Sequence, residues 1–200
     1  MYPCLAVPSN EDITLGLARI VILQISPSLL VWYNRGNVLL ALDRLDEAIA
    51  CYDNALAIDP HFVPAWNNKA STLSELKQYD EAIECYNIAL TISPEHFQSW
   101  FGKGLAFAFS QRYKQATECL NKAIEVNPGS ASAWRYLGGS LGRMDRYHEA
   151  LEALDKSLGL DPNSADALAL KGALLGKSGR EDEAHKYYDM AKKIDPTIDV

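Results

Sequence analysis

The sequence predicts an all-α protein, a solenoid of antiparallel helix pairs, and three observations carry that prediction. Prolines recur at a fixed interval: Pro60, Pro94, Pro128, Pro162 and Pro196 are each 34 residues apart. The four tryptophans, Trp32, Trp66, Trp100 and Trp134, keep the same interval. Between them, apolar and small residues fall at steps of three and four, the spacing of one helical face. A fixed period of this kind marks a repeat architecture in which each unit buries its faces only against neighbours.

Ahead of the repeats, residues 1–28 form an N-terminal segment. Ser9-Asn10-Glu11-Asp12 precedes the apolar run IVILQI at 20–25, which predicts a helix over about 10–25 with a capping-box start. The run is too short to span a bilayer. ILQISP at 22–27 resembles IALTISP at 88–94, so the segment reads as a capping helix or a degenerate half-repeat. Five units follow over 29–198, at 29–62, 63–96, 97–130, 131–164 and 165–198.

The first helix of each unit carries the Trp column, completed by Leu168. Four residues on comes a small column, Gly36, Ala70, Gly104, Gly138 and Gly172. Three further on comes a large apolar one, Leu39, Leu73, Phe107, Leu141 and Leu175. After a short polar turn, the second helix carries Ala48, Ala82, Ala116, Ala150 and Ala184, then Tyr52, Tyr86, Leu120, Leu154 and Tyr188. Ala55, Ala89, Ala123, Ser157 and Ala191 complete it. Small residues let two helices approach closely, with Trp or Tyr expected opposite to fill the remaining volume. Acidic residues such as Asp46-Glu47, Asp80-Glu81 and Asp182-Glu183 gather where a helix N-terminus favours negative charge. Each closing proline disfavours helical geometry in the residue before it.

The chain of 200 residues carries a net charge of −7 without any Lys/Arg run, which argues against a nucleic-acid partner. Cys51, Cys85 and Cys119 also keep the 34-residue interval. Equivalent residues of neighbouring layers lie roughly 8–10 Å apart, beyond the ~7 Å Cα limit for a disulfide. Reduced, half-buried thiols and a cytoplasmic location are therefore expected. The sequence lacks a phosphate loop, an H-E-x-x-H pair, a C-x-x-C pair and a G-x-S-x-G elbow. His61 and His96 fall in turns between repeats, and His148 and His185 at or within second helices. No catalysis, cofactor or metal is expected.

The pattern W-x3-G/A-x2-L, then A-x3-Y-x2-A and a closing P, resembles the tetratricopeptide repeat (TPR), five times over residues 29–198. The resemblance implies a right-handed superhelix whose first helices line a concave groove for extended or helical peptides. Two departures stand out. The family's usual Leu before the small column is Arg35, Lys69, Lys103 and Lys171, with Leu137 alone conforming; these cations are expected to lay their stems on the core and keep their charge in water. Lys192 stands where the earlier units have Leu56, Leu90, Ile124 and Leu158, as if the last helix were made polar in place of a cap.

On the groove face the resemblance places an amide cluster, Asn34, Asn37, Asn67 and Asn68, with Ser71 beside it. Phe101, Leu105 and Phe109 form an apolar stripe, read either as a peptide anchor or as packing against the next helix. Arg135, Tyr136, Arg143 and Lys177 make a mildly basic end. The carboxylate clamp of chaperone-binding members is mostly missing, since the matching positions hold Tyr33, Asn37, Asn68, Gln98 and Gly102. The expected function is a scaffold that binds a peptide or protein segment, with no membrane or nucleic acid as partner. The alternative is a homo-oligomer formed through the N-terminal helix or the uncapped C-terminal end.

Overall fold

The computed structural model describes residues 28–198, which form ten α-helices and no strand. The expected helix over 10–25 and Cys4 lie outside the described residues. The chain divides into two compact units, Met1–Pro60 and His61–Val200. In the first, α1 (Leu29–Ala41) and α2 (Leu45–Ile58) form one hairpin. In the second, four hairpins follow: α3 (Val63–Glu75) with α4 (Tyr79–Ile92), α5 (Phe97–Phe109) with α6 (Tyr113–Val126), α7 (Ala131–Gly142) with α8 (Tyr147–Leu160), and α9 (Ala165–Lys177) with α10 (Glu181–Ile194).

Within the second unit each helix packs on the next, and α3, α5, α7 and α9 also touch one another in order. Among the described residues the second helices of neighbouring hairpins make no such contact. A stack whose first helices crowd while its second helices spread must curve with the first helices inside. That inner wall carries Asn67, Ser71, Phe101, Leu105 and Phe109.

The small column meets the aromatic and leucine column of the second helix. A Cβ added at Gly36 would lie 2.5 Å from Tyr52 Cε1, at Gly104 2.9 Å from Leu120 Cγ, and at Gly172 2.6 Å from Tyr188 Cε1. Tyr52, Leu120 and Leu154 are wholly buried, as are the flanking alanines Ala48, Ala116 and Ala150. The tryptophans are not opposite the small column, contrary to expectation. They sit half-buried at the joints: the indole Nε1 of Trp100 donates to the Pro94 carbonyl at 2.7 Å, and that of Trp134 to Pro128 at 3.0 Å. Trp100 and Trp134 keep the period of the prolines because each ties its repeat to the proline that closes the one before.

Two further expectations are corrected. Cys51, Cys85 and Cys119 are buried rather than half-buried, with no disulfide among them; burial pushes the Cys119 thiol up to about 11, which keeps it protonated and inert. Of the cations before the small column, Lys171 alone does not keep its charge in water. Arg35, Lys69 and Lys103 sit over Trp32, Trp66 and Trp100 at 5.6, 5.7 and 5.2 Å from the ring centroid, within cation–π range. Lys171, whose repeat lacks the Trp, is buried and gives its ammonium to Asp155 and to the Tyr187 hydroxyl. Burial alone would lower its pKa, but these two partners outweigh it and raise it.

The turn inside each hairpin has one conformation throughout. The residue just before the N-cap of the second helix has positive φ: Asp43 58°, Lys77 61°, Gln111 63°, Asp145 58° and Gly179 80°. The next residue's N–H reaches back five positions, as in Gln78 to Leu73 at 2.9 Å and Arg112 to Phe107 at 2.8 Å, the Schellman closure. An L-residue pays roughly 1–2 kcal/mol for that backbone, less the entropy a glycine costs the folded chain. Lys77→Gly is therefore expected to stabilise the protein by about 0.5–1 kcal/mol in urea unfolding; a loss of stability would show the turn to be unstrained.

Candidate binding groove

The inner wall of the second unit is built from residues four apart on successive first helices. From α3 come Asn67, Ser71 and Glu75, and from α5 come Phe101, Leu105 and Phe109, the i, i+4, i+8 stripe of each helix. Between them opens a cavity of about 450 Å³ that includes all six of these residues, with Ser74, Gln98 and Gly102 beside them. The sequence-predicted Asn67, Ser71, Phe101, Leu105 and Phe109 are thus brought to one place.

The floor of this cavity is Tyr86, which sequence reading assigned to the core column alone. It is 3% exposed, yet its ring passes under α5 because Gly102 offers no side chain: a Cβ there would lie 2.5 Å from Tyr86 Cζ. Burial pushes the Tyr86 phenol up to about 12, against the opposing hydrogen bonds of Ser74 and Ser71. The floor is a neutral hydroxyl at physiological pH. Tyr79 and Lys77, at the start of α4 and in the turn before it, also line the cavity and had no sequence signal. The signal for Tyr86 was available, since Gly102 interrupts the column Asn34, Asn68, Gly102, Tyr136, Leu170.

An aromatic ribbon runs from this cavity along the wall. Phe101 stacks on Phe97 at 5.7 Å and meets the edge of Tyr136 at 5.8 Å; Phe109 meets Tyr136 at 6.4 Å and Tyr79 at 6.4 Å. Both readings of the stripe hold in part, because Phe101 is half-buried against its neighbours while Phe109 is 55% exposed. Beyond it the Arg135 guanidinium lies 4.5 Å over the Tyr136 ring and 3.5 Å from Asp166. Arg143 Nε donates to the Tyr113 hydroxyl at 3.2 Å. Arg143 and Lys177 are exposed, and among the described residues neither has a carboxylate within 4.0 Å.

The four asparagines of the expected amide cluster fall in two different units. Asn67 Oδ1 accepts from Ser99 Oγ at 3.3 Å, and Ser99 Oγ lies 2.8 Å from His96 Nδ1. Asn68 is half-buried on α3 and does not line the cavity. Asn34 and Asn37 belong to the first unit, where Asn37 Oδ1 accepts from the Tyr52 hydroxyl at 2.9 Å.

Residues 9–197 match the family described as the cilia and flagella-associated protein 70 C-terminal domain. The chain belongs to that family. The match takes in every described helix of this TPR domain and begins within the segment before α1. Among solved structures the domain is similar to MamA, with a TM-score of 0.75, 22% identity, and coverage of 86% of this chain and 97% of that one. Residues 41 to the end of MamA from Desulfovibrio magneticus RS-1 give a TM-score of 0.79 at 18% identity, covering 88% and 99%. YrrB, a TPR protein with an unusual peptide-binding site, gives 0.72 at 24% identity, covering 90% and 92%. At these identities the likeness shows the TPR fold. No curated protein matches this TPR domain. Among its described residues no helix is long and apolar enough to cross a membrane.

Proposed function

We propose that this TPR domain is a non-catalytic scaffold that holds a polypeptide segment against the inner wall of its first helices. One observation carries the reading: the cavity of about 450 Å³ in which Phe101, Leu105 and Phe109 face Asn67 and Ser71. Concave sites with an apolar lining and a few convergent polar groups are the usual form of a binding site, and aromatic side chains in such pockets supply most of the affinity. In this reading an apolar side chain of the guest enters the cavity and the amides of Asn67 and Asn68 meet its backbone. Tyr136, Arg135, Arg143 and Lys177 contact the part that runs on. YrrB, a TPR protein with a peptide-binding site, supports the analogy at the level of fold. The buried thiols suit a reducing compartment such as the cytoplasm.

A phage-displayed random peptide library selected on the wild-type domain tests this. The selected peptides should share an apolar anchor, and Phe101→Ala with Phe109→Ala should weaken them by about 2 kcal/mol or more, roughly thirtyfold, in calorimetry. Failure to select, or unchanged affinity of the double variant, would contradict the reading. A second reading, self-association, is favoured by exposed Met190 and Ile194 on the last helix α10. It predicts a mass that rises with concentration in light scattering; a constant monomer would remove it.

A further inference from the structure

The position three residues after the Trp column is a cation in four repeats, and each of these four cations has a seat. Arg35, Lys69 and Lys103 lie over the Trp of their own repeat, and Lys171 lies between Asp155 and Tyr187. In the repeat of α7 and α8 the same position is Leu137, which is buried against the core. Among the described residues the Trp134 ring therefore carries no cation.

At that place the outer side of the stack opens into a cavity of about 580 Å³, lined by Trp134 and Leu137 from α7, Thr117 from α6, and Glu149, Glu152 and Asp155 from α8. Counting 34 residues back, Leu137 corresponds to Lys103, Glu152 to Glu118 and Asp155 to Asn121. The repeat that has lost the cation has therefore gained a carboxylate. Arg146 and Lys156 also line the cavity, and Lys171 reaches Asp155, so three carboxylates meet three cations. Their engagement is unequal. Glu149 is held by Arg146 and Asp155 by Lys171. Among the described residues Glu152 has only His148, at 3.5 Å, and Lys156 has no carboxylate within 4.0 Å.

We propose that this cavity receives a lysine or arginine side chain of a partner polypeptide, its charge over the Trp134 ring and beside Glu152. The guest takes the seat that its own chain fills in the other repeats: an apolar stem against Leu137 and a cation on the aromatic face. The site lies on the second-helix side, so it does not depend on the inner groove and gives the domain a separate, basic point of attachment.

The experiment follows the four indole N–H signals of 15N-labelled protein, assigned by single Trp→Leu variants, during titration with Nα-acetyl-lysine methylamide. The uncharged control is Nα-acetyl-norleucine methylamide. The Trp134 signal should move and saturate with the lysine compound while the other three stay within error, and norleucine should bind several-fold more weakly. Leu137→Lys, which installs the residue of the sister repeats, should abolish the response, and Glu152→Gln should weaken it. If Leu137→Lys does not fold, Trp134→Leu, the residue its column holds at Leu168, serves instead, read by the backbone signals of Leu137 and Glu152, which should cease to move. An unmoved Trp134 signal, an equal response to norleucine, or an undiminished response in the filled variant would overturn the proposal.

Discussion

Leu120→Ala is expected to lower the free energy of unfolding by about 2–5 kcal/mol, the range for emptying a buried leucine site. Leu120 is wholly buried, and the residue it packs on is a glycine: a Cβ at Gly104 would lie only 2.9 Å from Leu120 Cγ. Truncation therefore leaves a void that Gly104 has no side chain to enter, and α5 and α6 are held apart by the other columns on either side. Such a site collapses poorly, which puts the cost in the upper half of the range. Urea unfolding followed by circular dichroism reads it, and a cost below about 1 kcal/mol would mean that the column is loosely packed.

Gly138→Leu is the opposite error and should cost about 3 kcal/mol, the upper end for overpacking. A Cβ at Gly138 would meet Leu154 Cγ at 2.9 Å and the Ala150 carbonyl oxygen at 3.0 Å. The first contact can yield by rotation of a side chain. The second is backbone of α8 and yields only if the hairpin opens. The gain in helix propensity on leaving glycine, about 0.8–1 kcal/mol, offsets part of this. Gly159, with nothing within 4 Å of its Cβ position, isolates that gain: Gly159→Leu should be neutral or stabilising in the same measurement. Equal effects at the two glycines would show that Gly138 does not lie at a close helix contact.

The repeat, its helices and the pairing of small with large columns were legible because packing against neighbours imposes them on every unit alike. What escaped was whatever depends on a single unit or on backbone alone. The positive φ of Lys77 and Gln111 is invisible in residues that carry no turn preference, and only Gly179 announces it. The tryptophans were assigned to the wrong contact because their spacing fixes a helical face but not which neighbour that face meets; the hydrogen bond to Pro94 or Pro128 decides it. In the groove, Phe101, Leu105 and Phe109 could be read from their four-residue steps. Tyr86 could not be read from its own column, since its reach into the cavity is set by the absent side chain of Gly102 on another helix. Leu137 was legible as an exception to its column, but the cavity beside Trp134 came only with the structure.

The central claim is that small and large columns coexist because the two helices of each hairpin nest side chain into gap. A double-mutant cycle at Gly104 and Leu120 measures this directly. In the Leu120→Ala background, Gly104→Ala removes no room that anything occupies, so it should stabilise by about 1 kcal/mol, the ordinary preference of a helix for alanine. In the wild type the same substitution drives its Cβ against Leu120 Cγ, and the gain should vanish or reverse, giving a coupling of at least about 1 kcal/mol. The same change in stability in both backgrounds, to within about 0.3–0.5 kcal/mol, would contradict the nesting on which the inner wall and its cavity depend.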